Sequence, residues 1–294
     1  MRRVTVKTPG TCGEYIQGWF EDNPCLVSCP IDRYSTIIIK EGPGNCKSLK
    51  PKTAKMVAEI CRRYEIARRE IDHLHFSMET EIPLEKGMAS STADIAGMAA
   101  GLSHFFDLRL TPGEIGALCV SIEPSDNLMF PKLNLFNHIN GKILKSFKGS
   151  IESEILIIDF HGGIDTLSFN ESQDDYTKKD LESFAEIVYQ FEQGINEKNL
   201  KYVGEACTRS AFLNQGRLQK PYLELLTAMS QNYGGLGTII GHSGTVIGIM
   251  YQEKDFQGNE FLKDLRKYIP VTAYADIYQN HLIPGGIKVT IERN

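Results

Sequence analysis

Little in this sequence suits a polymer, a membrane or a structural metal. Across 294 residues, 37 acidic side chains outnumber 32 basic ones, for a formal net charge of -5. That balance gives no global attraction for nucleic acid or an anionic bilayer, so a polyanion would have to be met by a local site. No apolar run approaches the ~20 residues needed to span a bilayer. The seven cysteines (Cys12, Cys25, Cys29, Cys46, Cys61, Cys119, Cys207) are odd in number and form no CxxC pair. Cys25 and Cys29 are closely spaced, but no second pair or His partner accompanies them, which argues against zinc and for reduced thiols. Met1-Arg2-Arg3-Val4 leads straight into a strand pattern, so no secretory leader is expected. The expectation is a cytoplasmic protein with a small-molecule ligand and with neither nucleic acid nor membrane as partner; oligomeric state is left open.

Two common nucleotide loops are missing as well. No Gly-Lys-Ser/Thr follows a glycine-rich turn, and no GxGxxG opens a helix after the first strand. What is present is a globular composition, 41% hydrophobic and 23% charged, in a chain long enough for one large domain or two ordinary ones. Val4 and Val6 alternate with polar neighbours as in a strand, and Thr8 to Gly18 reads as a glycine-punctuated turn. Leu26 to Ile39 reads as two short strands around Pro30, 51–64 as an amphipathic helix, and 73–80 as a strand. Strands at 139–147 and 154–160 bracket Gly149-Ser150, where a domain boundary is expected. Further helices are expected from the acidic lead Asp174-Asp175 through Glu197, over 200–213 and over 222–229. Strands followed by helices in both halves make an α+β reading.

The stretch Pro83-Leu84-Glu85-Lys86-Gly87-Met88-Ala89-Ser90-Ser91-Thr92-Ala93 precedes the apolar-periodic run Ile95, Met98, Ala99, Leu102, Phe105, Phe106. A glycine turn running into a helix N-terminus collects backbone N–H groups at one point, where partial positive charge suits a phosphate. Ser90, Ser91 and Thr92 would add hydroxyls there; the alternative is an ordinary well-capped helix. Downstream, Thr111 as N-cap, Pro112 at N1 and Glu114 at N3 begin another helix, and Pro124 stops it. That helix delivers Glu123 and Asp126 to its C-terminal end, where carboxylates face the unfavourable end of the dipole; either a cation is nearby or the loop is simply exposed. Asp32-Arg33 is read as a solvated ion pair or a substrate contact. His73 and His75 share a strand face without an acidic or Cys partner at ligand spacing. Gly234 to Met250 is glycine-rich, and its apolar part after Gly244 reads as a buried strand.

The Pro83 stretch resembles, nearly residue for residue, the phosphate-binding signature of the GHMP kinase superfamily of galactokinase, homoserine kinase, mevalonate kinase and phosphomevalonate kinase. Pro83, Gly87, Met88, Ser90, Ser91 and Ala93 fill its fixed positions. Pro9-Gly10 followed by Gly13-Glu14 resembles the family's opening stretch, and the glycine-rich segment around His242-Ser243-Gly244 resembles its C-terminal signature. All three occur in family order. The wording around Cys12, Asp94 and Pro124 looks like the branch that phosphorylates L-threonine in cobalamin side-chain synthesis and propanediol utilisation.

The resemblance implies a two-domain α+β fold: residues 1–149 as an N-terminal ATP-binding domain like ribosomal protein S5 domain 2, and 150–294 as a ferredoxin-like C-terminal domain. It implies ATP and Mg²⁺, with Pro83, Gly87, Met88, Ala89, Ser90, Ser91 and Thr92 around the phosphates. Ser91 and Glu123 would hold the metal, Ser91 and Asp126 would be catalytic, and Glu14, Asp32, Arg33, Ser243 and Gly244 would surround L-threonine. Other acceptors, such as homoserine, and a non-catalytic nucleotide sensor on the same fold remain open readings. Thr11 stands where the mevalonate-kinase form often has a lysine, so that lysine's role does not transfer.

Overall fold

The computed structural model describes residues 2–162 and 176–293; Asp174 and Asp175, the expected acidic lead of a helix, lie outside the described residues. In chain order, β1 (Arg2–Phe20) and β2 (Asn23–Glu41) form a long antiparallel hairpin. Then come α1 (Pro51–Arg63), the single turn α2 (Arg68–Ile71), β3 (Leu74–Thr80), α3 (Ser90–Phe105) and α4 (Pro112–Ile122). The middle of the chain supplies β4 (Asn134–Phe136), β5 (Ile143–Ser146) and β6 (Glu154–Phe160). The rest comprises α5 (Lys178–Asn196), α6 (Leu200–Leu213), α7 (Leu223–Asn232), β7 (Gly237–Ile240), β8 (Val246–Tyr251), α8 (Gly258–Tyr268), β9 (Tyr274–His281) and β10 (Lys288–Arg293).

The hairpin corrects two expectations. Thr8 to Gly18 is not a turn but the middle of β1, and Pro30 does not divide β2. The reason lies in the register, which slips between Pro9 and Gly10 and twice more between Thr11 and Ile16. Pro9 and Pro30 sit beside these irregularities, where the missing N–H of proline costs the ladder least, and the bulges bend the strands instead of ending them. Glycines that read as turn punctuation thus serve a bent, continuous strand.

Among the described residues the strands form one sheet in the order β5-β4-β2-β1-β7-β8-β6-β9, with β3 on β2 and β10 on β1. α1 and α3 cover the end carrying β1, β2 and β3, burying Met56, Ile60, Ile95, Met98, Ala99 and Leu102 against Val4, Val6, Ile37 and Ile39. α3 is buried on nearly every side, which explains its run of Ala and Gly: only small residues let it lie this close to the strands. At the other end α5 and α6 pack on β1, with Phe184, Ile187 and Phe191 against Tyr15 and Ile16. β10 returns from the C-terminal half to pair along the start of β1, so that half does not stay on its own side of the Gly149-Ser150 junction.

Candidate active site

A cavity of about 500 Å³ opens where the turn before α3 meets the bulged centre of β1 and the end of α4. Its phosphate-loop wall rests on unusual backbone. Gly87 takes φ +74 and Ala89, at the N-cap of α3, takes φ +58. No side chain caps α3. The ordinary capped-helix alternative is therefore not what forms: Ser90, Ser91 and Thr92 fall within the first turn, and the helix start faces the cavity with its N–H groups uncapped by side chains.

The loop is shaped from behind by the glycine hairpin between β7 and β8. Thr245 N donates to Lys86 O at 3.1 Å, and Thr11 N donates to Met88 O at 3.1 Å. A Cβ on Gly244 would lie 2.2 Å from Lys86 O and 2.4 Å from Gly87 Cα, closer than any side chain tolerates. Gly244 thus acts on the cavity indirectly, by touching the loop's backbone, while Ser243 lines the cavity itself. Pro83 begins the loop outside the lining.

At the mouth of the loop, Ser91 Oγ donates to Glu123 Oε1, and Lys52 Nζ pairs with Glu123 Oε2. Glu123 is only 7% exposed. A buried carboxylate at a helix C-terminus is costly without such partners. Among the described residues no three His, Cys, Asp or Glu side chains converge as a metal-binding group. The Ser91 and Glu123 oxygens do suit a hard divalent ion that takes one carboxylate and completes its shell with phosphate oxygens and water. Next to them, Lys50 Nζ lies 2.7 Å from Asp94 Oδ2, whose other oxygen accepts from Ser35 Oγ at 2.6 Å.

The opposite wall carries two carboxyls. Asp126 follows α4; its N donates to Thr92 Oγ1 at 3.3 Å and its Oδ1 accepts from Ser28 Oγ at 2.9 Å. Half-buried and open to the cavity, its carboxyl is raised to about 7, by burial first and then by the Glu14 charge, against the lowering effect of the Ser28 hydroxyl. Glu14 is also raised to about 7 by burial, against the His242 N–H and the Lys220 ammonium, which favour its charged form. His242 N and Nδ1 both lie 2.9 Å from Glu14 Oε2. Lys220 is 4% exposed, donates to His242 O at 3.1 Å and is lowered to about 8 by burial. His138, also in the wall, is pushed down to about 4 by burial and stays neutral.

Asp32 and Arg33 are not brought to this cavity. Asp32 Oδ1 accepts from Asn280 Nδ2 at 2.8 Å and from His281 N at 3.0 Å, and the Arg33 guanidinium stacks 4.1 Å from the Tyr278 ring. They do not pair with each other; both reach Asn280 and so tie β2 to β9. The residues that sequence reasoning missed are Lys50, Lys52, Ser28, Lys220 and the side chain of His242. Lys50-Pro51-Lys52 carried a signal, because two lysines at the start of a helix stand at the wrong end of its dipole unless an anion is near. Lys220 carried none, its position being set by tertiary packing.

A glycine-shaped loop running into a helix start that no side chain caps, with a carboxyl of near-neutral pKa in the same small cavity, suits phosphoryl transfer to a small molecule. The GHMP kinases N terminal domain family matches residues 52–130. L-threonine kinase of Salmonella typhimurium is 30% identical over 97% of this chain and 95% of its own length, and L-threonine kinase of Citrobacter freundii is 30% identical over 84% and 86%. Homoserine kinase of Clostridium acetobutylicum is 21% identical over 71% and 72%. Among solved structures, homoserine kinase from Cytophaga hutchinsonii matches with TM-score 0.72 at 13% identity over 98% and 97% of the two chains. MDDEF in complex with MVAPP, AMPPCP and magnesium matches with TM-score 0.67 at 14% identity over 99% of each. The chain belongs to the GHMP kinase family and is an ATP-dependent kinase with the α+β fold of that family. Among the described residues no helix is long and apolar enough to cross a membrane.

Proposed function

We propose that the protein transfers the γ-phosphoryl group of ATP to the hydroxyl of L-threonine, giving O-phospho-L-threonine and ADP. The observation that carries this reading is the placement of Asp126 and Glu14 in the same cavity as the α3 phosphate loop. The 30% identity to L-threonine kinases over most of the chain supports the choice of acceptor. We extend the proposal to a cleft between halves 1–149 and 150–294, since the loop and Glu14 come from the first and Ser243 from the second, and to a product that supplies the aminopropanol linker of cobalamin.

In this mechanism the backbone amides from Gly87 to Ser91 hold the triphosphate, and Ser91 and Glu123 would hold Mg²⁺. The metal, when bound, offsets negative charge on the phosphates. Asp126 Oδ2 takes the proton of the threonine hydroxyl as its oxygen forms the bond to the γ-phosphorus and the bond to the bridging β-phosphate oxygen breaks. A base with a pKa near 7 is suited to this, because a substantial fraction is ionised near neutral pH and that fraction is a competent proton acceptor. Glu14, braced by His242, faces the threonine ammonium, and Ser243 closes the same end of the cavity.

The test is ADP release from purified protein with Mg·ATP, run across L-threonine, L-homoserine, L-serine, mevalonate and galactose, with the phosphorylated product identified by mass. L-threonine should give the highest kcat/KM. Turnover that favours L-homoserine, the acceptor suggested by the Clostridium acetobutylicum relative, would reassign the substrate and leave the kinase chemistry in place.

A further inference from the structure

Phosphoryl transfer gathers negative charge on the γ-phosphoryl oxygens, and kinases meet it with cations aimed at the site. The phosphate loop here supplies none. Its own lysine, Lys86, turns away to Asp159 Oδ1 at 2.9 Å and to the carbonyls of Phe160 and Gly162, each at 3.0 Å. Thr11, on β1, has no charge to offer. Among the described residues, the side-chain cations lining the cavity are Lys50 and Lys52. Lys50 is committed to Asp94, which Ser35 also fixes. Lys52 is about one-third exposed and ends on Glu123, the carboxylate that also takes the Ser91 hydroxyl.

We propose that Lys52 is a catalytic residue that exchanges partners, neutralising Glu123 in the free enzyme and moving to the β- and γ-phosphoryl oxygens when metal and nucleotide arrive. This rests on the reading of Ser91 and Glu123 as the metal-binding oxygens. A buried carboxylate requires a cation, and in the free enzyme Lys52 is that cation. A divalent ion at Glu123 repels the ammonium. The four-carbon stem lets it swing while its Cα stays on α1. Its new position is beside the triphosphate, where the start of α1 had placed two lysines against their own helix dipole. Lys52 and the metal therefore compete for Glu123 without nucleotide and act together with it.

That opposition of signs separates the proposal from a merely structural role. Lys52→Gln keeps a donor for Glu123 and removes the charge; Lys52→Arg keeps the charge. The probes are Mn²⁺ alone, titrated into nucleotide-free protein by electron paramagnetic resonance, Mg·AMPPCP binding by calorimetry, and kcat. Lys52→Gln should bind Mn²⁺ alone about threefold or more tighter, bind Mg·AMPPCP about tenfold weaker, and lose about 10²-fold in kcat, with Lys52→Arg recovering most of the kcat loss. If Lys52 only tethers Glu123, Lys52→Gln keeps its kcat; that result, or Mn²⁺ binding no tighter than in the unaltered protein, overturns the proposal. If Lys52→Gln does not fold, Lys52→Met, which also removes the charge and keeps the length of the stem, takes its place with the same outcomes expected, and kcat or Mg·AMPPCP affinity within about threefold of the unaltered protein overturns the proposal. Should the unaltered protein transfer no phosphoryl group to any alcohol, the kinase reading itself has failed, which is a different result from an active enzyme indifferent to Lys52.

Discussion

His242 holds one oxygen of Glu14 twice, its backbone N and its ring Nδ1 each 2.9 Å from Glu14 Oε2, across 228 residues of chain. The contact fastens the bulged centre of β1 to the glycine hairpin, with Lys220 behind it donating to the carbonyls of His242 and Gly244. A carboxylate held this firmly presents its other oxygen to the cavity at a fixed place. Glu14→Gln keeps the shape and removes the charge. It should raise KM for L-threonine about tenfold or more while KM for ATP stays within about twofold. Equal effects on both constants would show that Glu14 shapes the site instead of facing the amine.

The same residue sets a pH dependence of stability. Folding raises the Glu14 carboxyl from 4.5 to about 7. Between those values the folded chain keeps a proton that the unfolded chain has released, so stability falls as pH rises from about 4.5 to about 7 and levels off above. Asp126 acts in the same direction. Carboxyls held below their ordinary values, such as Asp180, act only below about pH 4. His138, held near 4 against its ordinary 6.5, works the other way up to about pH 6.5 and offsets one of the two carboxyls, which leaves a net fall. Urea midpoints at about pH 5 and about pH 7.5 should therefore favour the lower pH, by less in Glu14→Gln. A midpoint that climbs with pH across this window contradicts the assignment.

Asp126 should be visible in the rate. As proton acceptor it must be ionised, so kcat/KM for L-threonine should rise with pH through a midpoint near 7 and then flatten. Asp126→Asn should lower kcat about 10²- to 10⁴-fold and abolish that rise, with nucleotide affinity little changed. A variant that retains both its rate and the pH profile would make Asp126 a wall residue only.

Ser91→Ala should lower kcat about 10²-fold, because a metal or phosphate oxygen loses a partner that matters most in the transition state. Circular dichroism should show the fold unchanged, since the Ser91 hydroxyl bonds only Glu123 among the described residues. Full activity at saturating Mg²⁺ would remove Ser91 from the site.

Gly244→Ala tests the hairpin as the back wall of the phosphate loop. One methyl group would meet Lys86 O at 2.2 Å and Gly87 Cα at 2.4 Å, so hairpin and loop must separate. Displacement of that order at a phosphate site should raise KM for ATP about tenfold or more. Calorimetry with AMPPCP would reveal it, and unchanged affinity would mean that the loop does not depend on the hairpin.

The parts of the site legible in sequence are those whose backbone does the work. A glycine turn, small hydroxylic residues and a buried helix leave a fixed local spelling, so Gly87, Ser90 and Ser91 could be read directly. The capping box of α4, from Thr111 to Glu114, is equally local. Pro9 and Pro30 misled because bulge chemistry and turn chemistry use the same residues, and only the register of the partner strand separates them. The ties of Asp32 and Arg33 to β9 leave no local spelling, because their partners, Asn280, His281 and Tyr278, are more than 240 residues away. Lys220 is the extreme case: a buried lysine looks like any other until the hairpin carbonyls that receive it are in place.

The central claim is the identity of the acceptor, and a competition measures it most directly. Equal concentrations of L-threonine, L-serine and L-homoserine, given limiting Mg·ATP and purified protein, can be followed by ³¹P NMR as each phosphate ester forms. Burying the threonine methyl against apolar atoms is worth ~1.4 kcal/mol, so L-serine should be phosphorylated about tenfold more slowly. The account predicts O-phospho-L-threonine as the dominant ester, with ADP formed in equal amount. Dominance of O-phospho-L-homoserine, or ADP release with no ester formed, would contradict it.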